Sequence, residues 1–296
     1  VIVLENDGSM QFHQRVIRKD IMRVSDVRGG DLDGDGDSDL AVAMFGAFDG
    51  GTFWLENRGD GTFKEHTLQT LSGPINCPIV DIDEDGDLDI ALLVSQEWEE
   101  IYLFVNNGAG QFSPKLIWGA TNENFGSGNI RMVDLDQDGD IDVLYTNGDA
   151  WDYVPPEPRP WHGVHWLQNQ GNYQFDIHRI ATFGGPYSAL PMDMDLDGDM
   201  DVTVTSMFNE WEDPMSQSVI WLENNGAMQF ARRDISNTPT NIQTAAEGDF
   251  NGDGKTDFVT GGMYTDPPHD RRSRILLWTN HWPGVVSKPK AAAPKL

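Results

Sequence analysis

Asp31-Leu32-Asp33-Gly34-Asp35-Gly36-Asp37-Ser38-Asp39 decides the fold, because the same nine-residue pattern returns four more times. It recurs as Asp81-Ile82-Asp83-Glu84-Asp85-Gly86-Asp87-Leu88-Asp89 and as Asp134-Leu135-Asp136-Gln137-Asp138-Gly139-Asp140-Ile141-Asp142. The fourth copy is Asp193-Met194-Asp195-Leu196-Asp197-Gly198-Asp199-Met200-Asp201. The fifth is Asp249-Phe250-Asn251-Gly252-Asp253-Gly254-Lys255-Thr256-Asp257. A period of 50 to 59 residues marks a repeat architecture.

A second element alternates with the first. It is an apolar run, an Asn, a Gly-containing turn, and an aromatic six residues after the Asn. It reads Asn6 to Phe12, Asn57 to Phe63, Asn106 to Phe112, Asn169 to Phe175 and Asn224 to Phe230. Such a run entering such a turn is a strand leading into a hairpin. Each repeat therefore holds four short strands, A to D. Strand A runs into the aspartate loop, B leaves it, C precedes the Asn and D follows the aromatic. Four antiparallel strands per repeat with no helical periodicity predict an all-β chain of β-propeller blades. One blade cannot bury both of its faces, so blades must stack.

Residues 1–283 are expected to be one propeller domain of five blades, with the N-terminal strands closing the last blade. A sixth, partial blade is the alternative, because Arg274 to Asn280 also reads as a strand C. Residues 284–296, rich in Pro, Ala and Lys, read as a flexible linker or cloning remnant through which a further domain is attached.

The aspartate loops carry the chemistry. Alternate residues at positions 1, 3 and 5 turn carboxylates toward one centre, and the Gly at position 6 permits a sharp reversal at positive φ. Position 7 offers its carbonyl, and position 9 closes the site as strand B begins. Calcium takes six to eight oxygens at about 2.3–2.6 Å and suits such a donor set. The metal residues are thus Asp31, Asp33, Asp35, Asp37 and Asp39; Asp81, Asp83, Asp85, Asp87 and Asp89; Asp134, Asp136, Asp138, Asp140 and Asp142; Asp193, Asp195, Asp197, Asp199 and Asp201; and Asp249, Asn251, Asp253, Lys255 and Asp257. About five ions are expected, with the fifth loop the weakest. An EF-hand is excluded, since position 12 holds Val42, Leu92, Tyr145, Val204 and Thr260 rather than a bidentate Glu.

The charge balance agrees. The net charge is −28, and half of the 48 acids lie inside the five loops. A surface of that sign repels nucleic acid and anionic lipid. Carboxylates this crowded repel one another unless cations sit among them. The single cysteine, Cys77, allows no internal disulfide and reads as a small buried hydrophobe.

These loops and blades resemble the FG-GAP or VCBS-type repeats of integrin α-subunit propellers and many secreted bacterial proteins. The resemblance covers Val1 to Asn280. It implies a calcium-bearing propeller in an extracellular or secreted setting, at the cell surface or in the periplasm. It does not name a function, because that family includes lectins, adhesion modules and polysaccharide lyases.

A ligand surface is expected at the B–C loops, at the other end of the strands from the metal loops. These loops pair an aromatic with an acid: Phe48-Asp49, Trp98-Glu99, Trp151-Asp152, Trp211-Glu212 and Tyr264 with Asp266, plus Trp161 in the longest loop. Aromatic faces stack on sugar rings and carboxylates accept from hydroxyls, so the leading partner is a glycan. An extracellular protein ligand and a polysaccharide lyase are the alternatives. No membrane insertion and no catalytic motif is read. A lyase would need a unique cluster, and Trp151 to His165 with Asp270 to Arg272 is the place for one. Trp54, Trp166 and Trp221 share a strand-C position and read as core. Arg15, His66, Lys115, His178 and Arg233 recur on strand D and read as guards of an outer edge.

Overall fold

The computed structural model describes residues 1–46, 49–96, 98–263 and 265–283. The chain divides into two compact units. One holds Val1–Met132, Asp140–Val143 and Leu167–Ile177; the other holds Val133–Gly139, Leu144–Trp166 and His178 onward.

The chain opens with an antiparallel hairpin, β1 (Ile2–Asn6) and β2 (Phe12–Val16). The first blade follows as β3 (Val24–Gly30), β4 (Asp39–Met44), β5 (Gly51–Asn57) and β6 (Phe63–Gln69). In the second, strand A is split into β7 (Pro74–Asn76) and β8 (Ile79–Val80), and β9 (Asp89–Val94), β10 (Glu100–Val105) and β11 (Ser113–Gly119) follow. The third is β12 (Ser127–Val133), β13 (Asp142–Asn147), β14 (Gly163–Asn169) and β15 (Phe175–Thr182). The fourth is β16 (Pro186–Met192), β17 (Asp201–Ser206), β18 (Val219–Asn224) and β19 (Phe230–Ser236). The fifth shows three strands among the described residues: β20 (Ile242–Gly248), β21 (Asp257–Gly262) and β22 (Ile275–Trp278).

The chain is thus all-β, a five-blade β-propeller of antiparallel sheets, with no helix among the described residues. Among the described residues no helix is long and apolar enough to cross a membrane. The surplus strand C is β22, which pairs with β21 through Phe258 opposite Trp278 and Val259 opposite Leu277. It takes the place beside β21 that a composite last blade reserves for an N-terminal strand. The hairpin β1–β2 is a two-stranded sheet of its own. Residues 284–296 lie outside the described part.

Burial explains why strand B is apolar throughout rather than alternating. In β4, Ala41 and Ala43 face one cluster with Trp54, Cys77, Ile90, Leu92 and Phe104. Val42, between them, faces another with Phe53 and Leu55. Both faces of the strand are core, so successive residues must be apolar. In the other unit, Val202 and Val204 of β17 join Trp166, Ile220 and Leu222 in one such cluster. In the cluster around Trp54, Cys77 is fully buried as expected, and burial pushes its thiol pKa up.

Strand A carries a recurring irregularity. Its register shifts between Val24 and Asp26, Pro74 and Asn76, Pro186 and Ser188, and Ile242 and Thr244. A bulge of this kind bends the strand and re-aims its side chains. The bends are tied to the next blade: Ser25 Oγ donates to the Pro74 carbonyl at 2.8 Å and Ser188 Oγ to the Gln243 carbonyl at 3.2 Å.

The strand-D cations stand on the edge strand of their sheets, as read, and lie across from strand C. His66 pairs with Trp54 and stacks on its ring, centroids 4.5 Å apart and planes 12° from parallel. His178 lies 5.0 Å from Trp166, and Arg233 pairs with Trp221 while bridging to Glu223. Cross-strand neighbours sit close enough to interact. The three tryptophans are buried, as their shared position implies.

Candidate metal loops and ligand cleft

Each aspartate loop is a turn wound around the carboxylate at position 1. Asp31 accepts from the Gly34 and Gly36 amides at 2.9 and 3.0 Å. Asp134 accepts from Asp138 and Gly139, and Asp193 from Asp197 and Gly198, all at 3.1 Å. Asp249 accepts from Gly252, Asp253 and Gly254, and these amides lower its pKa. The glycines at position 6 have φ of +83° to +107°, as the reversal requires. Position 4 is left-handed as well, at Gly34, Glu84, Gln137, Leu196 and Gly252. The two glycines at that position were the sequence signal for it.

This winding gathers carboxylates. Oxygens of Asp31, Asp33 and Asp39 lie within 4.8 Å of one another, as do those of Asp81, Asp83 and Asp85 and those of Asp193, Asp195 and Asp197. Oxygens on a sphere of ~2.4 Å about a calcium ion fall within that same span. Two of these carboxylate oxygens, Asp81 Oδ1 and Asp195 Oδ1, are buried without a hydrogen-bond partner, and Asp195 is only 2% exposed. A buried charged acceptor left bare is unfavourable unless a cation supplies the missing interaction. The donor set, its spacing and these bare oxygens fit a hard divalent cation. The fifth loop forms no such trio, in keeping with Asn251 and Lys255.

Position 9 does something the sequence did not reveal. Asp39, Asp89, Asp142, Asp201 and Asp257 are all buried. One oxygen of Asp39, Asp89, Asp201 and Asp257 accepts from the amide at loop position 2, on Leu32, Ile82, Met194 and Phe250. The other oxygen, in all five, accepts from the amide of the Asn that ends strand C, at 2.7–2.8 Å. The Asn side chain returns the contact, as Asn106 does to the Leu88 carbonyl and Asn224 to that of Met200. The two repeated elements are therefore one module. Burial raises the pKa of Asp39 and pushes Asp89 and Asp201 up to about 6, with the neighbouring carboxylates adding to the effect.

Position 7 meets the hairpin turn. A Cβ on Gly59, Gly108 or Gly226 would stand 2.4–2.6 Å from the carboxylate of Asp37, Asp87 or Asp199, so those turns must be Gly. In the fifth blade both partners change: Lys255 Nζ donates to the carbonyl of Trp282, which holds the turn position.

At the other end of the strands the aromatic–acid pairs separate. Trp98 is 60% exposed and stands over a cleft of about 430 Å3 lined by Ala120, Thr121, Asn122, Glu123 and Asn124. Its partner Glu99 is not a surface acid: it is 1% exposed and accepts from the Gly126 and Ser127 amides at 3.1 and 2.9 Å. That corrects its reading as a ligand contact, because both oxygens hold the turn into β12. Trp151 is exposed against Phe208, and Asp49, Asp152 and Glu212 are exposed. Trp161 and Trp211 are half-buried, and their carbonyls accept from Asn147 and Arg271. Asp266 accepts from the Thr265 hydroxyl. Phe48 and Tyr264 lie outside the described residues. The stretch 121–124 was missed in the sequence, and its run of Thr, Asn, Glu and Asn between two strands was the only sign.

The unique cluster in the long B–C loop is inward-facing. His162 Nδ1 accepts from the Arg159 amide, and His165 Nε2 meets Asn147 Oδ1 at 2.9 Å. Burial pushes both imidazoles down to about 4. Arg159 lies over the Tyr153 ring at 3.5 Å.

Residues 31–92 and 81–145 match the family model of the FG-GAP-like repeat. No curated protein matches the sequence. Among solved structures, the chain is similar to the Bombyx mori GH32 beta-fructofuranosidase BmSUC1, at 11% identity and a TM-score of 0.47. That match covers 85% of this chain and 57% of the other, so this chain spans little more than half of that enzyme's length. Loops four and five, beyond the matched stretch, keep the position-1, position-6 and position-9 bonds of the first three. The chain thus carries FG-GAP-like repeats over residues 31–145, within a five-blade β-propeller.

Proposed function

We propose that the protein is a secreted, calcium-stabilised binding module for glycans, with the Trp98 cleft as its contact site. About five calcium ions hold the loops, one per repeat, and the fifth loop is the weakest. The carrying observation is Trp98, a large aromatic kept 60% exposed over a polar cleft. An indole face turned to solvent covers the apolar face of a pyranose ring. Asn122 and Asn124 supply amide donors and acceptors beside it, and Glu123 supplies an acceptor. No cation lines this cleft, which favours neutral sugars over acidic ones. The role read here is binding rather than turnover, and the two histidines of the long loop region are buried rather than open to a ligand.

The test is Trp98→Ala, screened with its parent on an array of neutral oligosaccharides. The variant should lose binding at least tenfold, with an unchanged melting temperature. Undiminished binding would remove the cleft from the account. New absorbance from unsaturated product on incubation with an acidic polysaccharide would replace binding with lyase activity.

A further inference from the structure

A tyrosine of the following blade's hairpin touches the second metal loop. Tyr173, in the turn between β14 and β15, donates its hydroxyl to Asp83 Oδ2 at 2.6 Å, across 90 residues of sequence. Asp83 is position 3 of its loop, and its neighbour Asp81 has the bare buried oxygen Oδ1. The hydroxyl and Asp83 share one small cavity of about 240 Å3, also lined by Glu84, Asn169 and Asn172. Lys115 Nζ stands over the Tyr173 ring, 5.5 Å from its centre.

Tyr173 lies four residues after its Asn, where every such hairpin turn has positive φ. Glycine fills that position at Gly61 and Gly110 and methionine at Met10 and Met228, whereas Tyr173 sits at φ +60° and follows Asn172 at +52°. A bulky side chain there is strained, and Tyr173 brings to a metal-loop carboxylate a hydroxyl that the two methionines lack.

We propose that Tyr173 is a positioning residue for the cation of loop 2, an inference that rests on the metal reading above. Its hydroxyl occupies Asp83 Oδ2 and so fixes the carboxylate with Oδ1 free to ligate. A partner that orients a ligating carboxylate raises metal affinity, and its loss typically lowers affinity ~10- to 100-fold. The contact also joins the occupancy of loop 2 to the hairpin of the following blade.

The experiment is calcium titration calorimetry on the chelator-treated full chain. Tyr173→Phe removes the hydroxyl alone and should weaken one class of site about tenfold, leaving the rest. In a chain whose loop 2 is already disabled by Asp81→Asn with Asp85→Asn, Tyr173→Phe should change nothing further. Tyr173→Gly relieves the backbone, so its chelated form should melt no lower than the parent while gaining less from added calcium. A purely structural tyrosine would give the opposite: a lower melting point without metal and an unaltered isotherm. An isotherm for Tyr173→Phe matching the parent overturns the proposal and leaves the metal reading standing. No calcium heat from the parent chain itself overturns both.

Discussion

Asp201 shows how one side chain can serve two repeated elements. Its oxygens accept from the amides of Met194 and Asn224, one in its own loop and one at the end of strand C. Hydrogen bonds to a charged acceptor contribute about 1.5–3 kcal/mol each, and a stranded buried amide is unfavourable. Asp201→Ala should therefore destabilise the chain by about 2–4 kcal/mol in urea unfolding, even with chelator present. Asp201→Asn, which keeps one acceptor, should lose less. An alanine variant as stable as the parent without metal would make position 9 a ligand and nothing more. The sequence displayed this aspartate and its Asn in every repeat, but their bond spans the whole of strand B and the B–C loop. Spacing alone therefore read them as separate signals. Glu99 misled for a related reason: an acid beside an exposed tryptophan looks like surface chemistry until the next strand's amides are placed against it.

At the level of strands, β14 and the residue before it bring two histidines into a dry setting. The folded imidazoles of His162 and His165 have pKa values pushed down to about 4, first by burial and then by the charge of Arg179, with Arg159 adding to the effect on His162. In the unfolded chain they titrate near 6.5. As pH falls from ~6.5 to ~4, the unfolded chain takes up protons that the folded chain refuses, so stability drops across that window. Asp149, whose carboxyl burial pushes up to about 6, opposes this by favouring the neutral form on acidification. Comparison with His165→Gln isolates the histidine part. Between pH 7 and pH 4.5 the parent should lose about 1–3 kcal/mol more than the variant in denaturant midpoints. Parallel pH profiles would contradict it. Strand order within blades was legible because apolar runs and Gly turns are local. The bulges of strand A were not, because a register shift exists only between two paired strands.

For the molecule as a whole, charge is the dominant fact. A net charge of −28 opposes compaction, and half of the acids sit where the repeats turn. Ions that bind only the folded state stabilise it by ~2.7 kcal/mol per site at a hundredfold excess over the dissociation constant. EDTA should lower the melting temperature by many degrees and added calcium should restore it, as followed by calorimetry. Magnesium, which prefers a tighter octahedral shell and keeps its waters, should restore less. A thermogram indifferent to chelator would leave the crowded carboxylates without an explanation.

The glycine after position 5 carries a further consequence. Every loop contains an Asp-Gly step, a dipeptide prone to cyclise when its glycine nitrogen attacks the preceding side-chain carbonyl. Here each of those nitrogens is already engaged, Gly36 with Asp31, Gly86 with Asp81, Gly139 with Asp134, Gly198 with Asp193 and Gly254 with Asp249. The intact loops thus shelter their own weakest bonds from isoaspartate formation. Prolonged storage without cation would age the protein at five evenly spaced points along its chain.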